Sequence, residues 1–164
     1  MKKMFMIVMV ALLGISFMGI SSAIAGDCPN GDGTGTPGYW KNHPKAWEPI
    51  THIFIGLDSC EKDDCIDLMK GPVKNDKWIT LFKAYVAAVL NVEKGNCEPV
   101  CNDPEWGHID LGTAEAWLAS NYGTEVRANS SQWQASHGEA EYECLDNYNN
   151  GLYPNIAVSR DSLE

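Results

Sequence analysis

The chain has 164 residues and sets 22 acidic side chains against 12 basic ones, a formal net charge of −10. That balance argues against nucleic acid and anionic membranes as partners, because proteins that hold phosphates concentrate Lys and Arg. Hydrophobic residues make up 45% of the chain, too many for a disordered segment and enough for one domain with its own core.

The first 25 residues read as a secretory signal peptide. Lys2 and Lys3 form a charged start, Met4 to Ile20 is apolar, and Ala23-Ile24-Ala25 is a small-residue cleavage site. A retained anchor is the alternative, since the apolar run nearly reaches spanning length. Removing Lys2 and Lys3 takes the formal charge from −10 to −12. Residues 26–35 then form a glycine-rich leader, 36–154 the domain, and 155–164 a C-terminal tail.

All six cysteines, Cys28, Cys60, Cys65, Cys97, Cys101 and Cys144, follow the cleavage site. An even count in an exported chain reads as disulfides formed in an oxidising compartment. Proximity pairs Cys60 with Cys65 and Cys97 with Cys101. Cys28 with Cys144 would close nearly the whole domain, for a gain of roughly 4–5 kcal/mol in the chain-entropy picture. Zinc-knuckle spacing and the covalent haem motif are both absent, so no metal or cofactor is expected. In the leader, Asn30, Asp32 and Thr34 alternate like the first half of a calcium loop. The closing acid such a loop needs would fall on Lys41, so a flexible leader is the simpler reading.

The densest stretch is Thr36 to Trp47, with three large aromatics, two prolines, a histidine and two lysines in twelve residues. Gly38 permits a bend, and Asn42 or His43 can cap a helix whose first residue is Pro44. Trp40 and Trp47, seven apart, fall on one side of that helix start. Two readings follow. In the favoured one the aromatics are a structural plug, because a tryptophan's large area usually goes to packing. In the other, Tyr39, Trp40, Lys41, Asn42, His43 and Trp47 form a binding face.

Downstream, Glu48-Pro49 ends or bends the first helix. Ile50 to Leu57 is a short strand or a buried loop. Asp58 and Ser59 offer caps for a helix near Cys60 to Lys70, stopped by Gly71-Pro72. The clearest element is Asp76 to Glu93: Trp78, Leu81, Phe82, Tyr85, Val86, Val89 and Leu90 recur at three and four behind an Asp76 cap. Cys97 to Asp110 reads as a loop, Gly112 to Asn121 as a helix, and Glu125 to Gln134 as undefined. Within that last stretch Asn129-Ser130-Ser131 is a glycosylation sequon, meaningful where the host glycosylates. Ser136 to Glu139 has the capping-box pattern and opens a last helix that Asn149-Asn150-Gly151 ends. The expectation is a mainly α, single small disulfide-stabilised domain of about four helices with long ordered loops.

The stretch Gly38-Tyr39-Trp40-Lys41-Asn42-His43-Pro44-Lys45-Ala46-Trp47 resembles the G-Y/F-W-K-N-H-P-x-A-W signature of a family of secreted bacterial proteins. Leu81 to Val92 is similar to that family's helix with an A-A-x-L-N core. Ala114, Trp117 and Leu118 match its short A-x-x-W-L block, and Leu145 to Leu152 its third block. The resemblance covers about residues 34–153. Members often carry a cysteine in the closure that follows; none follows Tyr153-Pro154, so that bond does not carry over. The resemblance implies an exported module of a cell surface or matrix and no particular activity.

Enzymatic motifs are not picked out. There is no G-x-S-x-G and no H-E-x-x-H, and His43, His52, His108 and His137 are dispersed. A secreted structural or adhesive module, bound to a cell-surface or matrix protein or to itself, is the leading expectation. A small-ligand binder for carbohydrate or a divalent cation, with Trp40, Trp47, Trp106 or His43 exposed, is the alternative. A metal-dependent hydrolase with dispersed ligands comes third.

Overall fold

The computed structural model describes residues 33–152. The signal peptide, Cys28, most of the leader and the C-terminal tail lie outside the described residues. Among the described residues, six helices and two small two-stranded sheets make a helix-rich domain. The two hairpins correct an all-α expectation.

The chain enters as α1 (Pro37–Asn42), capped by Thr36, whose hydroxyl accepts from the Tyr39 amide, with Pro37 at the first position. A 3-10 turn (Pro44–Trp47) follows, with His43 at its N-cap and Pro44 first. The prolines thus start two short turns rather than one helix. Next come β1 (His52–Ile55) and β2 (Asp58–Glu61), paired antiparallel with Ile55 opposite Asp58. Gly56, at φ +64, opens the two-residue turn, where a II′ hairpin reserves its first position for glycine. Asp58 and Ser59 are therefore strand residues, and Glu61 precedes α2 (Lys62–Lys70), which ends at Gly71.

The central element is α3 (Lys77–Glu93), capped by Asp76 through the Trp78 amide. It packs against α1, α2, α4 (Leu111–Ser120) and α6 (Gly138–Asn149). Its apolar repeat fills the core, with Leu81, Phe82, Val86 and Leu90 buried, and Ala84, Ala87 and Ala88 let neighbouring helices approach. Between α3 and α4, β3 (Cys101–Asp103) and β4 (Gly107–Ile109) form a second hairpin inside the segment expected to be loop. Its turn is held by Asp103, whose carboxylate accepts from the Glu105 and Trp106 amides.

Asp110 and Thr113 form a reciprocal cap at the start of α4. The expected capping box at α6 does not form: His137 is the N-cap with no side-chain cap bond, and Ser136 instead bonds the Gln132 carbonyl. The short helix α5 (Ser131–Gln134) brings Trp133 edge-on to Trp117, and Gly138 starts α6 against both rings. A Cβ at Gly138 would lie 2.5 Å from Trp133 Cε3, so the close approach requires glycine.

Cys60 pairs with Cys65, as their spacing suggested, tying β2 to α2 across a Cα separation of 5.6 Å. The other two expected pairs are overturned. Cys101 joins Cys144 with Cα atoms 6.0 Å apart, which excludes both Cys97–Cys101 and Cys28–Cys144. The physical reason is the β3–β4 hairpin: it packs against α6 and presents Cys101 to that helix. Cys97 is also disulfide-bonded, and no described cysteine is free. Among the described residues no helix is long and apolar enough to cross a membrane.

Candidate functional site

The conspicuous aromatic stretch goes to the core. Trp40 and Trp47 are both fully buried, and each indole N–H has a partner. Trp40 Nε1 donates to Asn91 Oδ1 at 3.0 Å, and Trp47 Nε1 donates to the Trp40 carbonyl at 2.9 Å. Asn91 sits near the end of α3 and is itself buried. Its Oδ1 also accepts from the Gly35 amide, and its Nδ2 donates to the Gly35 carbonyl (3.0 Å) and to Asn149 Oδ1 (2.8 Å). Asn149 in turn donates to the Ala84 carbonyl at 2.8 Å. One asparagine thus fastens the incoming chain, the first signature block and α6 to α3. Burying such groups is tolerable only because nearly all of their valences are used.

The other proposed binding residues do not gather into a face. Tyr39 is half-buried, stacked on His43 at 4.0 Å and edge-on to Trp40 at 5.1 Å. His43 Nδ1 lies 3.0 Å from the Tyr39 carbonyl, and Asn42 donates back to the Gly38 carbonyl within α1. Lys41 is half-buried, and its positive charge lowers the pKa of Lys83, second to burial. With both tryptophans buried, a sugar has no aromatic platform here.

Nor do the four histidines converge. His52 lies against the Phe54 ring on β1, His108 pairs with Asp110 at 3.2 Å, and His137 stacks on Trp106 at 4.2 Å. Among the described residues no three His, Cys, Asp or Glu are placed to hold a metal ion.

Two of the surface grooves formed by the described residues bear on function. The larger, about 570 Å³, runs between α2 and the start of α3, with Leu68, Pro72, Trp78 and Tyr122 on its walls. It is mainly apolar; Lys74, Asp76 and Glu125 stand around it. Another, about 440 Å³, lies between α4 and the α5–α6 junction; its surface too is mainly apolar, with several polar side chains set into it. Thr113, Ser120 and Asn121 line it from α4 and its C-terminal end, and Ser136, His137 and Glu141 line it from the other side. Its distinguishing group is Glu141, only 1% exposed. Oε2 of that carboxyl is 3.0 Å from Thr113 Oγ1, and Oε1 has no hydrogen bond to a described residue.

Burial pushes the Glu141 carboxyl up to about 7, helped by the nearby Asp110 charge and opposed by the Thr113 hydrogen bond. The Thr113 hydroxyl has one hydrogen and two acceptors within reach, Glu141 and the Asp110 carbonyl at 2.9 Å. While Glu141 is protonated, Thr113 can donate to Asp110 and accept from Glu141; after deprotonation its hydrogen turns to Glu141. His137 beside it holds a left-handed backbone at φ 69, uncommon for a residue with a side chain.

Comparison with protein families, curated proteins and solved structures finds no match to this chain. Sequence reading missed the Glu141 groove because its residues form no motif. The one usable signal was an acid at a position that an amphipathic α6 turns inward, three residues before Cys144 and four before Leu145.

Proposed function

We propose that this chain is an exported, non-catalytic module that attaches to a protein of the cell surface or extracellular matrix. The observation that carries this reading is the β1–β2 hairpin. It presents Phe54 and Leu57 to solvent, 58% and 106% exposed, on a firmly held hairpin. The Cys60–Cys65 bond ties one strand to α2. Glu115 on α4 accepts from the Gly56 amide at 2.8 Å, and Tyr85 on α3 donates to the Phe54 carbonyl at 3.1 Å. Gly56 lies so close to α4 that a Cβ would stand 2.8 Å from that of Ala119. Large apolar side chains on a rigid support bind with little ordering cost, which suits an adhesive contact.

Export is supported by the signal-peptide pattern, the paired cysteines and the resemblance of the Gly38–Trp47 block to secreted bacterial proteins. The acidity of the chain keeps such a module soluble and away from anionic surfaces.

The test is retention on the producing cell's surface or matrix, comparing wild type with a Phe54→Ser, Leu57→Ser double variant. Wild type should be retained and the variant released, with melting temperatures within a few degrees of each other. Equal retention, or release of both, removes the hairpin from the account. Retention that requires high protein concentration and disappears on dilution identifies further copies of the chain as the partner. A second reading, small-ligand binding, is favoured by one observation, the buried carboxyl of Glu141 at the α4–α6 groove.

A further inference from the structure

The polar side chains set into the mainly apolar α4–α6 groove have most of their hydrogens turned inward. Ser120 donates to the Ala116 carbonyl at 2.8 Å, and Asn121 Nδ2 donates to the Trp117 carbonyl at 2.9 Å. The hydroxyl of Ser136 bonds the Gln132 carbonyl, and Trp117 Nε1 lies 3.1 Å from that carbonyl and 3.0 Å from Ser136 Oγ. Thr113 directs its hydrogen to Asp110 or to Glu141. What these groups leave for a ligand is mainly lone pairs. Among them Glu141 Oε1 has no hydrogen bond to a described residue and is not sealed from the groove, and the lining residues include no Lys or Arg.

A group that is charge-complementary to one carboxyl, rich in donors and small enough for about 440 Å³ is an alkylammonium ion. A hard metal cation fits less well. Calcium takes about six to eight oxygens, several of them carboxylate, and the groove wall offers one carboxyl. A neutral polyol would bring as many acceptors as donors and leave its own oxygens facing acceptors.

We infer that the α4–α6 groove is a binding site for a primary amine, with its ammonium group hydrogen-bonded to Glu141 and to the surrounding hydroxyl and amide oxygens, and its carbon stem along the Trp117 edge. Glu141 binds the amine as a carboxylate, so ligand competes with the proton the carboxyl holds in the empty groove. Thr113 turns its hydroxyl from Asp110 to Glu141 as that proton leaves. Most of the other titratable groups on elements packed against α6 are engaged elsewhere: on α3, Lys83 donates to the Gly71 carbonyl and Tyr85 to the Phe54 carbonyl. Asp110 caps α4 and pairs with His108, Glu115 holds the Gly56 amide, and Lys77 on α3 pairs with Glu139 at 3.6 Å. His137, at the groove edge, stacks on Trp106.

The experiment is calorimetric titration of the mature protein with n-propylammonium chloride at constant ionic strength, at pH 5.5 and at pH 8, with n-propanol as the uncharged control. Saturable binding should tighten roughly thirtyfold from pH 5.5 to pH 8, the ratio of ionised fractions for a carboxyl titrating at about 7. At pH 7 the heat should depend on the buffer's ionisation enthalpy, which reports release of the Glu141 proton. Propanol should not bind. Glu141→Gln should abolish binding, as should Ala116→Leu, which fills the groove from an exposed position on α4 without touching a hydrogen bond of a lining side chain. Circular dichroism on both variants establishes that they are folded; if Glu141→Gln is not, Ala116→Leu decides the matter alone. No saturable binding at pH 8, equal binding of propanol, or unchanged binding by folded Ala116→Leu overturns the proposal.

Discussion

The Trp40–Asn91 knot, sealed in the core, and the Glu141 groove, open to the surface, both combine polar and aromatic side chains, yet they are wired in opposite directions. In the knot, both faces of the Asn91 amide are used by the protein itself, on Gly35, Trp40 and Asn149. Nothing is left over for a ligand, so the cluster can only hold the fold. In the groove, most hydrogens point into the protein and most lone pairs point out, and one carboxyl oxygen has no hydrogen bond to a described residue. A conspicuous motif is thus a fastener, and an inconspicuous set of ordinary residues carries the capacity to bind.

The largest expected break is at the knot. Trp40→Ala should cost about 3–5 kcal/mol, the usual loss for a buried aromatic, measured by chemical denaturation. An unchanged midpoint would show that the ring does not support the core. Asn91→Leu should follow at about 3 kcal/mol or more, because it strands the Trp40 N–H, the Gly35 amide groups and Asn149 together. A double-mutant cycle between Trp40→Phe and Asn91→Leu should be strongly non-additive if the two act as one network.

At the groove, the effect depends on pH. The folded protein keeps the Glu141 proton between 4.5 and about 7, where the unfolded chain has released it. Folded protein binds more protons there, so stability falls as pH rises through this window and levels off above it. Glu141→Gln should remove that slope and leave the variant more stable than wild type above pH 7, by up to roughly 3 kcal/mol. Parallel stability–pH curves for wild type and variant would contradict the assignment. Gly138→Ala should cost about 1–3 kcal/mol through a clash with the Trp133 and Trp117 rings at the groove wall, read as a lowered melting temperature. The smallest effect is expected for Leu57→Ser, within about 0.5 kcal/mol, since the side chain touches only water.

Local chemistry was legible where it was strongly periodic or capped. The α3 repeat behind Asp76, the stop at Gly71-Pro72 and the end of α6 near Asn150 all appear where the residues suggested. Ser136 was misread because the capping-box pattern is only a local offer. The Gln132 carbonyl and the Trp117 indole, brought close by α5, claimed the hydroxyl instead. The strand alternative for Ile50 to Leu57 holds β1, but its partner β2 and the second hairpin were missed for a related reason. Three- and four-residue strands carry too little alternation to register, and Asp58-Ser59 looked equally suitable as helix caps.

From sequence alone follow the helix-rich character and the Cys60–Cys65 bond, which depend on neighbours within a few residues, and the burial of the tryptophan plug, which follows from the size of its apolar rings. Which cysteine meets Cys101, which atoms complete Asn91, and that Glu141 sits unengaged beside Thr113 were decided only by how the helices and the second hairpin pack. Partners 28 to 58 residues apart in the chain have no local signature, because the geometry that joins them exists only after α3, α4 and α6 have come together.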